Sequence, residues 1–485
     1  MASVKKSDAV KKLFQDWSVR KRWGVLGGFF VSLIYITSFT GWVYSLPRNL
    51  NLFLWSPMFK YISWVFVGIA ILIPIITIAD IGIRLMKELS PTKFPGKYVY
   101  ALIISGLLIP SGFLFYLTPY YQNGDKPPEL LIIDQTGSYG VPDLAVVFYS
   151  EKETTNILEY GVLSTDLDMQ LSETHESNVH AFVLSDLLPD TRYFYQINGE
   201  GQIYNFTSFP LTDFHFAISS DAHIGADTNN LTITEEILTQ ITAPSNNYDG
   251  FFNLGDMVEN GFSDKMYQEK INLFSPYTSQ IPYRPVLGNH DGLFGGFSYW
   301  EDYFYPSTLP SESSNSTLWH RFDFGADLHV FMLDLEWGTE TYTEAQKTWF
   351  EAELAAIDPE DWIIVMSHAF YYASSTYYDG DVPWFDNPDM IATFQPLFAA
   401  NGVDLVLSGH DHQMEHMSQE GVDYFVIGGL GGVFDKNATV MTEANSHFYN
   451  NTNHGFLDLQ FLGSTVTASF RTPGNDILYT TDIQK

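Results

Sequence analysis

Hydrophobic and polar positions fall into three regimes along the 485 residues. The first holds three apolar stretches nearly free of charge: Trp23–Tyr44, Tyr61–Ile83 and Tyr98–Tyr120. Each is about 20 residues, the length a helix needs to cross about 30 Å of hydrocarbon. Trp23, Trp42, Tyr44, Tyr61, Tyr98 and Tyr120 mark their ends, where amphipathic rings favour the membrane interface. Pro74 and Pro110 lie inside the second and third stretches and kink rather than break them. In the second regime, residues 129–210, short alternating segments separated by turn residues predict strands at Leu130–Asp134, Leu144–Tyr149, Asn156–Gly161, Asn178–Leu184, Arg192–Ile197 and Ile203–Phe209. The third regime has compact apolar runs that read as buried strands: Phe214–Ile218, Phe251–Leu254, Arg284–Leu287, Ile363–Met366 and Leu405–Leu407. Between them, Thr232-Ile233-Thr234-Glu235 reads as a capping box, and Glu344–Ala355 and Pro388–Ala400 read as helices. The pattern predicts a multi-domain chain. A tail at 1–22 precedes an α-helical transmembrane region at 23–120 with three helices, then an all-β sandwich at 121–211 and an α/β core at 212–485.

Charge adds an orientation. The net charge is −33, but residues 1–97 carry 13 Lys/Arg against 4 Asp/Glu, leaving 11 against 53 for the remainder. Lys5, Lys6, Lys11, Lys12, Arg20, Lys21 and Arg22 precede the first span, and Arg84, Lys87, Lys93 and Lys97 lie between the second and third. Both groups are expected on the cytoplasmic side, which predicts a multi-pass cell-membrane protein with a cytoplasmic amino terminus and an extracytoplasmic carboxyl-terminal part. A cleaved signal peptide is the alternative for the first span, weakened by its length and by the two that follow. Asp80 sits at the cytoplasmic end of the second span with Arg84 four residues on, so the spans read as an anchor in the lipid bilayer. The acidic body repels phosphate backbones, and no nucleic-acid binding is expected. With no cysteine, disulfides, zinc–thiolate sites and cysteine nucleophiles are excluded.

Candidate chemistry clusters at the carboxyl ends of the predicted buried strands, where ligands gather in α/β sheets. In order come Asp221-Ala222-His223, Gly255-Asp256, Gly288-Asn289-His290-Asp291, His368 and Gly409-His410-Asp411-His412. Singly these are weak; His368 alone reads as a packed histidine. Alternate histidines on the tight turn at 409–412 can reach two ions, and Asn289 places a neutral oxygen beside a candidate acid. Together the set supplies carboxylate, amide and imidazole donors sufficient for two metal ions side by side.

The ordered set resembles the signature of the calcineurin-like metallophosphoesterase superfamily. A segment similar to the tyrosine corner of fibronectin type III domains, Leu187-Leu188-Pro189-Asp190-Thr191-Arg192-Tyr193, precedes it, and the combined layout is similar to purple-acid-phosphatase-type enzymes. The likeness covers roughly 122–462, including Trp319–Asp334, Gln346–Leu354, Phe394–His412 and Asn453-His454-Gly455-Phe456. It implies a four-layer core of two β-sheets flanked by helices. It also implies two divalent or mixed-valence ions, one held by Asp221, His223, Asp256 and His412, the other by Asp256 as bridge with Asn289, His368 and His410. The implied catalysis is attack on a phosphate-ester substrate by a metal-bridging hydroxide, with His290 protonating the leaving alkoxide and Asp291 fixing the His290 tautomer.

Two positions depart from purple acid phosphatases: His223 stands where they carry Gly, and Glu259 where they carry a tyrosine ligand three residues after the bridging Asp. Fe, Mn and Zn therefore all stay open as occupants. The leading expectation is a phosphomonoesterase. A phosphodiesterase for nucleotides or lipid headgroups is the alternative, and a non-catalytic binding or sensor relative is the rival from another class. His320, His447 and His454 are open between substrate contact and structural roles, Phe370, Tyr371 and Tyr372 between pocket lip and core. The four-glycine segment Ile427–Val433 is open between approach to the metals and close strand packing. Sequons at Asn205, Asn230, Asn315, Asn437 and Asn450 permit glycosylation.

Overall fold

A strand covered on both faces carries apolar side chains at nearly every position. Trp362–Ser367 and Leu405–Ser408 are buried at each residue and occupy the middle of a seven-stranded sheet. The computed structural model describes residues 125–485 apart from 262, 294–295, 307–308, 310–313, 315, 377–382 and 435–444. The expected tail and three spans lie outside the described residues. Among the described residues no helix is long and apolar enough to cross a membrane.

Two large sheets form the core. One has nine strands in the order Ile477–Gln484, Thr465–Arg471, Phe456–Leu462, His215–Ser219, Gly250–Asn253, Tyr283–Pro285, Glu129–Thr136, Pro142–Thr154 and Ser177–Leu184. The other runs His320–Phe324, Leu328–Met332, Trp362–Ser367, Leu405–Ser408, Val422–Ile427, Met414–Gln419 and Ser446–Asn450. Side chains alternate across each strand, so Ile364 and Met366 join Phe216, Ile218 and Phe252 between the sheets. Ile363 and Val365 face outward onto Phe350, Phe394 and Phe398 of the helices Glu344–Leu354 and Pro388–Asn401. On the far side, Ala217, Phe251 and Tyr283 pack against Ile237, Leu238, Tyr267, Phe274, Trp300 and Phe304. These come from the helices Leu231–Ile241, Asp264–Thr278 and Gly296–Phe304. The four layers follow from that alternation.

A strand lies in each segment expected for the sandwich, the last shortened to Tyr204–Thr207, and an additional strand lies at Met169–Ser172. Met169–Ser172, Ile157–Gly161, Arg192–Ile197 and Tyr204–Thr207 form one sheet. The opposing strands are not a sheet of their own. Leu131 pairs in parallel with Tyr283, which makes 129–136, 142–154 and 177–184 the end of the nine-stranded sheet. Their inner face, Leu130, Ile132, Val146 and Phe182, shares one hydrophobic cluster with Tyr193, Tyr195 and Phe206. The buried Tyr193 hydroxyl accepts from Leu188 N at 2.9 Å, the tyrosine-corner bond. Helix 231–241 differs from the expected capping box: its cap is Asn230, whose Oδ1 accepts from Ile233 N.

Candidate metal centre

The loops leaving the central strands carry the candidate ligands. Asp221 follows His215–Ser219, Asp256 follows Gly250–Asn253, Asn289 follows Tyr283–Pro285, His368 follows Trp362–Ser367, and His410 follows Leu405–Ser408. Backbone pairing between the first two loops continues beyond their strands. Asp221 N donates to Gly255 O (3.1 Å), His223 N to Asp256 O (2.9 Å) and Ile224 N to Met257 O (2.9 Å). The chain must turn sharply to aim these side chains inward. Asp221, His223, Asp256 and His410 all adopt left-handed backbone, with φ of 64°, 45°, 50° and 72°. Such conformations cost on the order of 1 kcal/mol or more each for non-glycine residues and collect at functional sites. Gly288 has no room for a side chain, since a Cβ would lie 2.2 Å from Asp256 N and Oδ1.

Two ligand clusters result. In one, His223 Nε2 lies 2.9 Å from His412 Nε2, and Asp221 Oδ1 lies 3.5 Å from His412 Nε2 and 3.8 Å from His223 Nε2. In the other, Asn289 Oδ1 lies 2.9 Å from His368 Nε2 and 2.8 Å from His410 Nδ1. The same His368 nitrogen is 3.3 Å from Asp256 Oδ2, and Asp256 Oδ2 is 3.5 Å from His223 Nε2. One carboxylate oxygen thus serves both clusters. Three imidazoles are oriented from behind: His223 Nδ1 donates to Glu259 Oε2, His368 Nδ1 to Leu254 O, and His412 Nδ1 to Val433 O. Each of these bonds leaves Nε2 presented to the centre.

These spacings suit cations. Metal–donor distances of about 2.0–2.2 Å place neighbouring donors roughly 3–3.5 Å apart. Among the described residues no hydrogen bond reaches Asp221 Oδ1, although it is buried. Burial pushes the Asp221 and Asp256 carboxyls up, but the surrounding imidazoles prevail and hold both well below the usual range. Burial and the neighbouring His368 charge push His410 down to about 3. Burial opposes charge on His368 too, yet Asp256 and Asp221 raise it to about 9. The site thus joins ionised carboxylates to imidazoles that would bind by releasing their ring protons, a donor set suited to Fe, Mn or Zn.

The seven expected ligands converge; the expected partnership of Asp291 with His290 does not form. Asp291 is buried and accepts from Val258 N and Gly288 N, each at 3.1 Å, which clamps the loop. His290 Nδ1 donates instead to the Glu259 carbonyl at 2.7 Å. Of the other candidates, His320 is buried beside Arg284 and Tyr305, and exposed His447 bonds Ser418. His454 stacks on Phe434 with ring centroids 4.2 Å apart. Phe370 stacks on His410 at 5.9 Å, whereas Tyr371 belongs to the core outside the seven-stranded sheet and half-buried Tyr372 packs on Tyr424. The glycine segment closes the floor: Gly432 N donates to Asp221 O (2.9 Å), and Val433 O receives His412. Sequence reasoning missed Trp337, whose ring meets that of His410 edge-on at 5.5 Å.

Residues 214–414 match the family model for calcineurin-like phosphoesterases. The chain is a metal-dependent phosphoric ester hydrolase built on a purple-acid-phosphatase-like fold. It is 26% identical over 319 residues to Purple acid phosphatase 18 of Arabidopsis thaliana, covering 61% of this chain and 68% of that protein. Purple acid phosphatase 22 of the same plant is 25% identical over 344 residues, with coverage of 63% and 75%. In fold, the purple acid phosphatase PPD1 from yellow lupin seeds matches with a TM-score of 0.61 at 18% identity, over 75% of this chain and 74% of that one.

Proposed function

We propose that this chain hydrolyses phosphomonoesters at a dinuclear metal centre, on the outer face of a membrane that its amino-terminal spans cross three times. The observation that carries the catalytic reading is the sharing of Asp256 Oδ2 between the two clusters, 3.5 Å from His223 and 3.3 Å from His368. Asp221, His223, Asp256 and His412 would hold one ion, and Asp256, Asn289, His368 and His410 the other. Ions there supply Lewis acidity toward the phosphoryl oxygens and toward an attacking water. The protein's own acid is His290. Its backbone N donates to Asp256 Oδ1 at 2.8 Å and its Nδ1 to the Glu259 carbonyl. With Nδ1 so engaged, Nε2 is the nitrogen left to deliver a proton to the leaving oxygen as the ester bond breaks.

A phosphodiester reading draws support from one relative, a barley Nucleotide pyrophosphatase/phosphodiesterase, 25% identical over 200 residues and covering 38% of this chain. One assay addresses both. The full chain in detergent is expected to hydrolyse an aryl phosphomonoester faster than the bis-aryl diester, to lose activity on exhaustive chelation, and to regain it with Mn, Zn or Fe(II). Activity that survives complete metal removal overturns the centre; a faster diester rate overturns the monoester assignment.

A further inference from the structure

His223 engages the two sides of its ring differently. Nε2 faces the centre, 2.9 Å from His412 Nε2 and 3.5 Å from Asp256 Oδ2, while Nδ1 lies 2.8 Å from Glu259 Oε2. The two nitrogens of an imidazole diverge, so the Glu259 carboxylate sits behind the ring, away from any ion that Nε2 would hold. Glu259 also reaches the acid: its carbonyl accepts from His290 Nδ1 at 2.7 Å, and its carboxylate is 3.6 Å from that nitrogen. The His223 and His290 rings meet edge to face with centroids 4.6 Å apart. His223, Glu259 and His290 form a tight trio beside the ligand clusters.

The backbone fixes this placement. Glu259 N donates to Ile224 O at 3.0 Å, Ile224 pairs with Val258 in a parallel bridge, and Gly261 N donates to His290 O at 2.8 Å. The same ladder aligns His223 against Asp256, with His223 N donating to Asp256 O at 2.9 Å. Its side chain is 32% exposed, so the carboxylate stays hydrated on one side while it grips His223 on the other.

We infer that Glu259, at the position where purple acid phosphatases carry a tyrosine ligand, is a positioning residue that stands behind His223 and not a further ligand. It holds His223 as the Nδ1–H tautomer, aims Nε2 and raises its basicity, and its carbonyl holds His290 Nδ1 from the neighbouring loop. The inference rests on the dinuclear reading above and is separable from it by experiment. Full-length wild type, Glu259→Gln and Glu259→Ala are stripped of metal and titrated with Zn(II) by calorimetry. Cobalt(II) absorption spectra report coordination in parallel.

Wild type is expected to take two ions. Glu259→Ala is expected to bind one of them about 10–100-fold more weakly and the other unchanged. Glu259→Gln, whose amide oxygen still accepts from His223 Nδ1, recovers most of the loss and keeps the wild-type cobalt spectrum. Wild-type affinity for both ions in Glu259→Ala overturns the inference and leaves the dinuclear centre standing. A cobalt spectrum in Glu259→Gln that reports a changed ligand set makes Glu259 a ligand and also overturns it. A wild type that binds no metal overturns both.

Discussion

His290 differs from the candidate ligand histidines in how it is held and where it opens. Its side chain is 29% exposed, while that of His368 is fully buried. Its ring is fixed by a carbonyl at Nδ1, with nothing in the ligand clusters depending on Nε2. Replacing it with Ala should lower kcat by about 10²–10⁴ while the protein retains both ions, read by metal analysis of the purified variant. Loss of an ion together with activity would make His290 a ligand. Asp291 is a different case: burial and the Asp256 charge raise its carboxyl to about 7, and its two backbone amides give it a structural job. The ligands were legible because carboxylate, amide and imidazole recur just after buried strands. What orients them was not, because Leu254 and Val433 act through carbonyls that any residue supplies. Glu259 stood out only as a departure from a pattern.

Between elements, a buried ion pair joins the sandwich strand 129–136 to helix 264–278. Lys270 Nζ lies 2.7 and 2.9 Å from the Glu129 carboxylate, which also accepts from Thr278 Oγ1. The ammonium sits over the Phe274, Tyr283 and Phe304 rings, and burial pushes its pKa down while Glu129 pulls it back up. Removing Glu129 alone leaves a buried charge without its counter-ion. Glu129→Ala should therefore cost roughly 3–5 kcal/mol, measured by urea unfolding at neutral pH, and Glu129→Leu with Lys270→Met should restore much of that. A loss below about 1 kcal/mol, the surface-pair range, would mean the pair is solvated. This buried Lys also explains why helix 264–278 went unread: with Lys270 inside and Pro276 within the helix, no clean apolar face marks it. The parallel pairing of Leu131 with Tyr283 was likewise hidden, since residues 152 positions apart leave no local trace of contact. Strands such as Trp362–Ser367 were plain because both faces are covered.

For the molecule as a whole, the separation of charge along the chain makes a directional prediction. Seven basic residues precede the first expected span and four lie between the second and third, whereas 53 of the 57 acidic residues follow residue 97. Lys and Arg flanking short loops set orientation, while Asp and Glu contribute little to it. Three such spans would place the two ends of the chain on opposite sides. A body this acidic would also be repelled from an anionic cytoplasmic leaflet, where basic segments are attracted. The absence of cysteine gives a clean test, since one introduced thiol is the only one present. Ala345→Cys, at an exposed position in helix 344–354, should react with a membrane-impermeant maleimide on intact cells expressing the chain. Ser7→Cys, in the tail, should react only after lysis. The reverse labelling would turn the chain around and bring the catalytic domain, with its phosphate-ester substrates, to the cytoplasmic side.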